Sequence, residues 1–211
     1  MSLFKDEHAL ARHWRDNLKG IYLKVYVNIN LASHRFYDYW KEWWAGTNSP
    51  PAQPQIDLVI IDTHTVLAVE LKYFRMINYK GNKKVNYPFY AGIQEALSLL
   101  RFGFECVSLW QCFDREVPND IISRYEPAVS NLINTLKLPI NYEGFFLDKY
   151  QDKIQPYPIR GGKPFWYEDK DTGKRAITFP SPYGVVNPLK DTPEAKKMLD
   201  FLRSVLRIPR E

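Results

Sequence analysis

Two carboxylates and one ammonium stand out by type and spacing. Asp57 lies thirteen residues ahead of Glu70, and Lys72 follows Glu70 by two, in the run I-D-L-V-I-I-D-T-H-T-V-L-A-V-E-L-K. Side chains alternate across a strand, so Glu70 and Lys72 share one face and Leu71 takes the other. Val66, Leu67, Ala68 and Val69 lead into them and read as strand buried on both faces. A glutamate and a lysine thus emerge together at the end of an apolar strand, where charge is costly unless it is paired or holds a ligand. Two carboxylates at such a place suit Mg²⁺, a hard cation that prefers oxygen and keeps several waters, with Mn²⁺ as its substitute. The ion would lower the pKa of a bound water and neutralise charge on a phosphoryl oxygen. The lysine would orient that water and stabilise the developing charge.

The elements around these residues must bring Asp57 to them. Ile56–Ile61 and Val66–Leu71 are short, β-branched runs separated by Asp62-Thr63-His64-Thr65, which predicts a hairpin. The start of its first strand lies beside the end of its second, so Asp57 is expected at Glu70 and Lys72. Asp62 is a weaker first acid, because it falls in the turn. Upstream, a helix is expected over residues 3–18 with Ser2 as N-cap and Gly20 as stop. A half-buried strand is expected over 21–29, with Ile21, Leu23, Val25, Val27 and Ile29 on one face. A second helix is expected from Ser33 to about Ala45, before a loop whose prolines exclude regular structure.

Downstream, a helix is expected from Tyr87 to about Phe102, closed by Gly103. A strand over Phe104–Phe113, a helix within Asn119–Leu136 and a strand over Asn141–Leu147 follow. Residues 150–190 hold six of the 15 prolines. There Phe165–Tyr167 and Ala176–Phe179 suggest an exposed hairpin. Thr192-Pro193-Glu194 opens a last helix with the stripe Ala195, Met198, Leu199, Leu202, Val205 and Leu206. This order predicts a three-layer α/β fold with a central mixed sheet flanked by helices. Residues 1–148 would form the core, with the helix at about 33–45 as an insertion. Residues 149–211 would form a Pro-rich extension, hairpin and helix packed on it.

Charge is concentrated rather than spread. The chain has 211 residues, with 29 Lys plus Arg against 24 Asp plus Glu. Between Leu71 and Gln94 there are five basic residues, Lys72, Arg75, Lys80, Lys83 and Lys84, and no acid, so the whole formal excess of +5 lies there. Tyr73, Phe74, Tyr79, Tyr87, Phe89 and Tyr90 are interleaved with it. Basic residues neutralise phosphates and aromatic faces stack on bases, so this segment is the expected nucleic-acid track, through Arg75, Lys80, Lys83 and Lys84.

Residues 56–72 resemble the core hairpin of the PD-(D/E)xK nuclease superfamily, which has the restriction-endonuclease-like fold. Asp57 matches the first acid of that motif, Glu70 the second and Lys72 the lysine. Pro54 is displaced from its usual place directly before the acid. The superfamily core, α-β-β-β-α-β, can be drawn from the elements expected over residues 3–113. The resemblance implies a Mg²⁺-dependent nuclease acting on DNA, with Asp57, Glu70 and the backbone carbonyl of Leu71 as metal ligands. Many members add a glutamate from the first helix. Glu7 interrupts an apolar stripe and is preferred to Glu42, which lies off its own stripe. Some subfamilies place a glutamine on the helix after the lysine strand, and Gln94 suits it. The tyrosine that follows four residues later is absent, since position 98 is Ser98, and Tyr90 one turn earlier would occupy similar space. Many such nucleases pair to cut both strands, which leaves room for a homodimer.

Composition narrows the alternatives. Only Cys106 and Cys112 are present, which excludes a disulfide framework, a four-cysteine zinc site and a cysteine-ligated iron–sulfur cluster. His8, His13, His34 and His64 lack metal-ligand spacing. The first residues are charged and no apolar run approaches a membrane span, so a soluble, cytoplasmic protein without a membrane partner is expected. A catalytically inactive nucleic-acid-binding or assembly module with the same fold is the second reading, and the intact acid–acid–lysine set weighs against it.

Overall fold

The computed structural model describes residues 2–31, 38, 41, 55–62, 65–150, 153–164, 167–168, 175–176 and 184–206. The chain runs through α1 (Glu7–Leu18), β1 (Lys24–Asn30), β2 (Gln55–Ile61), β3 (Val66–Phe74), β4 (Met76–Tyr79), β5 (Asn82–Val85) and α2 (Ile93–Leu99). It continues through β6 (Cys106–Asp114), α3 (Asn119–Thr135), β7 (Asn141–Tyr150), β8 (Lys153–Arg160), β9 (Lys163–Pro164), β10 (Tyr167–Glu168), β11 (Arg175–Ala176) and α4 (Pro193–Leu206). The main sheet has the order β1-β2-β3-β6-β7-β8-β9. β1, β2 and β3 form an antiparallel meander, and β6 and β7 join parallel to β3. β8 and β9 return antiparallel.

The two faces of the sheet are covered by different helices, which makes the α/β layering expected from the element order. On one face α1 packs Leu10, Ala11, Trp14 and Leu18 against Leu58, Ile60, Leu67, Val69 and Trp110. These α1 positions recur at helical spacing, and burying each large one stabilises the fold by about 2 kcal/mol. On the other face α2, α3 and α4 contribute Ala96, Leu99, Val129, Ile133, Met198 and Leu202, set against Val59, Ala68, Val107 and Leu109. β3 and β6 are buried along their whole length, as strands between two helical layers must be. No helix among the described residues is long and apolar enough to cross a membrane.

Several expected boundaries move. α1 begins at Glu7, not residue 3, and its N-cap is Asp6, whose carboxylate accepts the N–H of Ala9 at 2.8 Å. The earlier residues are drawn off by tertiary partners. Leu3 N–H donates to Asp114 at 2.7 Å and Phe4 N–H to the Tyr73 hydroxyl at 3.0 Å. The first strand starts at Lys24, leaving Ile21 and Leu23 exposed. Its apolar residues do not share one face. Val25 and Val27 pack on the α1 side and Ile29 on the other. Asn28, at φ +53°, breaks the two-residue period between them.

The hairpin of β2 and β3 forms as expected, with Asp62 N–H closing on the Thr65 carbonyl at 3.1 Å. The basic segment forms a second hairpin, β4–β5. The helix expected from Tyr87 is shorter. α2 begins at Ile93 and passes into a 3-10 turn over Leu100–Phe102 that Gly103 ends, as expected, at φ +77°. β8 belongs to the main sheet despite Pro156 and Pro158, so the boundary expected after residue 148 falls inside the β7–β8 pairing. In the Pro-rich region Tyr167–Glu168 pairs with Arg175–Ala176, as the expected hairpin requires. α4 begins at Pro193 and buries Ala195, Met198 and Leu202. The helix expected over 33–45 lies almost wholly outside the described residues.

Candidate active site

Asp57 and Glu70 meet because of register. The β2–β3 ladder runs from Ile61↔Val66 to Leu58↔Val69, which sets Asp57 opposite Glu70 at its open end. On the β1 side, Val27 pairs with Leu58 and Ile29 with Ile56, so the left-handed Asn28 sits opposite Asp57. The Asp57 carboxylate reaches across to β3 and accepts the N–H of Leu71 at 2.8 Å. Glu70 and Lys72 follow the alternation of β3 onto the face that carries Ala68, and Lys72 Nζ bonds Glu70 Oε1 at 2.7 Å. Glu70 is wholly buried, Asp57 is 5% exposed and Lys72 8%.

Lys72 is ringed by acids from three directions. Its ammonium lies 3.6 Å from Glu95 on α2 and 4.0 Å from Glu7 on α1, besides Glu70. Burial pushes the Asp57 carboxyl up to about 6, against the Leu71 N–H and the Lys72 charge. Burial, with the Asp57 charge added, pushes Glu70 up to about 8. For Lys72, burial alone would lower the pKa, but the surrounding glutamates outweigh it and hold the ammonium above its ordinary range. The lysine is therefore the resident counter-ion of a site whose own carboxyls resist ionising.

The donor set fits a divalent cation that takes few protein ligands. Glu70 Oε2 is buried without any hydrogen-bond partner, a costly arrangement for a carboxylate oxygen unless something else satisfies it. Asp57, opposite Glu70, supplies the second carboxylate. Among the described residues no three His, Cys, Asp or Glu side chains form a ready-made metal cage. Mg²⁺ is ordinarily held by one or two carboxylates plus water and substrate phosphate, so two suffice.

Glu7 points at this cluster, as its place on the apolar stripe predicted. Its Oε1 accepts the Tyr73 N–H at 3.2 Å. Glu42 lies outside the described residues. The N-terminal segment that places Glu7 is tied down twice. Buried Asp114 holds Leu3 N–H and the Tyr73 hydroxyl, while Arg75 donates to the Lys5 carbonyl at 2.5 Å. Arg75 thus anchors this segment, whereas Lys80, Lys83 and Lys84 stand exposed on the β4–β5 hairpin.

Two clefts open beside the acids around Lys72, one at Glu7 and one at Glu95. One, of about 160 Å³, is lined by Glu7, Gln55, Tyr73, Arg75, Asn86 and Tyr87. The other, of about 510 Å³, is lined by Tyr90, Gly92, Gln94, Glu95, Leu97 and Leu132 among others. Gln94 and Tyr90 are exposed on the rim of the second, and neither touches the acids. Glu95 reaches the lysine instead. A signal for it was present, because Glu95 lies four residues before buried Leu99 and so shares its helical face, while Gln94 aligns with Ser98.

Two supporting residues carry no sequence signal of their own. Gly92 caps α2 at φ +92°, and a Cβ there would lie 2.5 Å from Leu109 Cδ1 and 2.8 Å from Lys72 Cγ. The stem of Lys72 therefore rests on a bare backbone. Buried Gln111, paired with Lys72 across β3–β6, donates to the carbonyls of Phe89 and Ala91 at 2.7 and 3.1 Å and accepts from Tyr142. It holds the approach to α2 against the strand. His8 and His13 are matched with Asn28 and Asn17, and His34 and His64 lie outside the described residues. Both cysteines are buried and free. No family model matches the sequence, and no curated protein matches it.

Proposed function

We propose that the protein is a metal-dependent nuclease that hydrolyses phosphodiester bonds in DNA, with Asp57 and Glu70 holding Mg²⁺ and Lys72 acting on the attacking water. One observation carries this reading. Two buried carboxyls with raised pKa values and one orphaned oxygen converge with a lysine at the open end of a hairpin. Structural ion pairs are ordinarily satisfied, whereas this one leaves an acceptor bare where a cation would sit. The order α1-β1-β2-β3-α2-β6, with β6 parallel to β3, supports a restriction-endonuclease-like fold in which β4–β5 is an insertion.

In this reading Mg²⁺, if bound, would supply an activated water and neutralise phosphoryl charge. Asp57 and Glu70 would hold it, with the Leu71 carbonyl as the further ligand that the resemblance implies. Lys72, already cationic, releases Glu70 and offers its ammonium to the phosphate or the water. Glu7 and Glu95 hold that ammonium close to the reaction path.

The test is incubation with duplex, branched and single-stranded substrates in Mg²⁺, Mn²⁺ or EDTA. Cleavage that requires the metal and is abolished in Lys72→Ala is expected. Lys72→Ala should still bind the ion, whereas Asp57→Ala should lose it. A wild-type protein that leaves every substrate intact with either metal would overturn the proposal.

A further inference from the structure

The β4–β5 hairpin directly follows the strand that carries Glu70 and Lys72. We infer that it is a groove-reading ribbon that enters the major groove of B-form DNA and so selects duplex DNA over RNA duplex and single strands. The inference rests on the nuclease reading for its choice of nucleic acid as partner, and deepens it to a substrate class.

The hairpin is built to protrude. Met76, Ile77, Asn78 and Tyr79 pair with Val85, Lys84, Lys83 and Asn82. The tip is Lys80-Gly81, both at positive φ, which is the two-residue turn that matches strand twist. Its base is seated in the core, where Val85 and Tyr87 pack against Phe74 and Phe113. Asn86 staples it further, donating to the Tyr73 carbonyl and accepting the Arg75 N–H, each at 2.9 Å. Beyond that base, every residue from Asn78 to Lys84 is exposed. Lys84 Nζ lies 3.8 Å from the Tyr79 ring centroid, which stiffens one face of the ribbon.

Dimensions decide the groove. Two strands lie about 4.8 Å apart and with side chains span roughly 10 Å, and four residues rise about 14 Å. The major groove of B-DNA is about 12 Å wide and 8.5 Å deep and admits a two-stranded ribbon, while the minor groove, about 6 Å wide, does not. The major groove of A-form RNA is too narrow for side chains to read. From Lys72 to Met76 the chain spans at most about 14 Å, comparable with the groove width, so a ribbon in the groove leaves a flanking phosphate within reach of the acids.

Chemistry agrees with shape. Directly opposed residues share a face, so Asn78 and Lys83 form one side and Tyr79 and Asn82 the other. Asparagine amides and lysine ammoniums are the groups that read adenine and guanine edges in this groove. Lys80 and Lys84, whose ammoniums lie 5.5 and 3.8 Å from the Tyr79 ring centroid, remain for the phosphates of one wall.

The test is dimethyl sulfate footprinting with Lys72→Ala protein in Ca²⁺. The reagent marks guanine N7 in the major groove and adenine N3 in the minor groove. Protection of guanine N7 is expected, together with tighter binding to duplex DNA than to an RNA duplex of the same sequence. The variant N78A/N82A/K83A, shown to be folded by its thermal transition, should lose that protection. It should also bind duplex DNA at least about tenfold more weakly, the worth of one bidentate contact, with little change on single strands. Protection at adenine N3 alone, unchanged footprints in the variant, equal affinity for both duplexes, or no nucleic-acid binding would overturn the inference. Metal-dependent cleavage without an N7 footprint would sink this inference and leave the nuclease reading intact. A footprint without cleavage would do the reverse.

Discussion

Loading the site with a divalent cation should expel a proton, and the count follows from the burial of its carboxyls. With Glu70 near 8 and Asp57 near 6, the pair shares about one proton at pH 7. The count should rise to about 1.5 at pH 6 and fall to about 0.1 at pH 9. Affinity for Mn²⁺ should therefore climb about tenfold per pH unit near neutrality and level off above roughly pH 8.5. Calorimetric titrations in buffers of different ionisation enthalpy read the count directly. Glu70→Gln should remove most of the release at pH 7. Binding at pH 7 with no proton release would mean that both carboxyls are already ionised, which refutes the reasoning from burial. The same linkage has a sign for the metal-free protein. Both acids have folded pKa values above their ordinary ones, so the stability they contribute is full below about pH 4 and is lost as pH rises through 6 and then 8.

Three further predictions concern the supports and the track. Gly92→Ala should cost about 2–4 kcal/mol in urea unfolding, from the left-handed backbone and the overlap with Leu109 and Lys72, and should lower cleavage by displacing the lysine stem. Asp114→Ala should cost about 2–4 kcal/mol, because it strands the Tyr73 hydroxyl and frees the Leu3 N–H, and limited proteolysis should then cut within the first residues. Each phosphate neutralised contributes about −0.9 to the slope of log affinity against log salt on duplex DNA. Replacing Lys80 and Lys84 together by alanine should therefore flatten that slope by roughly two, and an unchanged slope would place the track elsewhere.

The hairpin of β2 and β3 and its acids are legible in the chain alone. Apolar runs that end in Asp57 and in Glu70-Leu71-Lys72 are local patterns, and strand alternation turns that spacing into geometry. The helical face of Glu7 and the stripe of α4 are legible for the same reason, since both depend on residues within a few turns. What the chain alone does not reveal depends on partners far along it. The start of α1 is decided by Asp114 and Tyr73, which claim the N–H groups of Leu3 and Phe4. The phase of β1 is decided by a left-handed Asn28 opposite Asp57. The hairpin β4–β5 hides in a stretch whose lysines mask the alternation of its strands, and its base is set by contacts with Phe74 and Phe113. β8 carries two prolines, a composition that reads as loop, yet it pairs beyond β7 in the sheet. The lysine cage is tertiary throughout. Glu7, Glu70 and Glu95 come from three elements, and Gly92 is needed only because the stem of Lys72 passes over it. Residue type and period specify which groups exist and which way they face, and long-range packing specifies which of them meet.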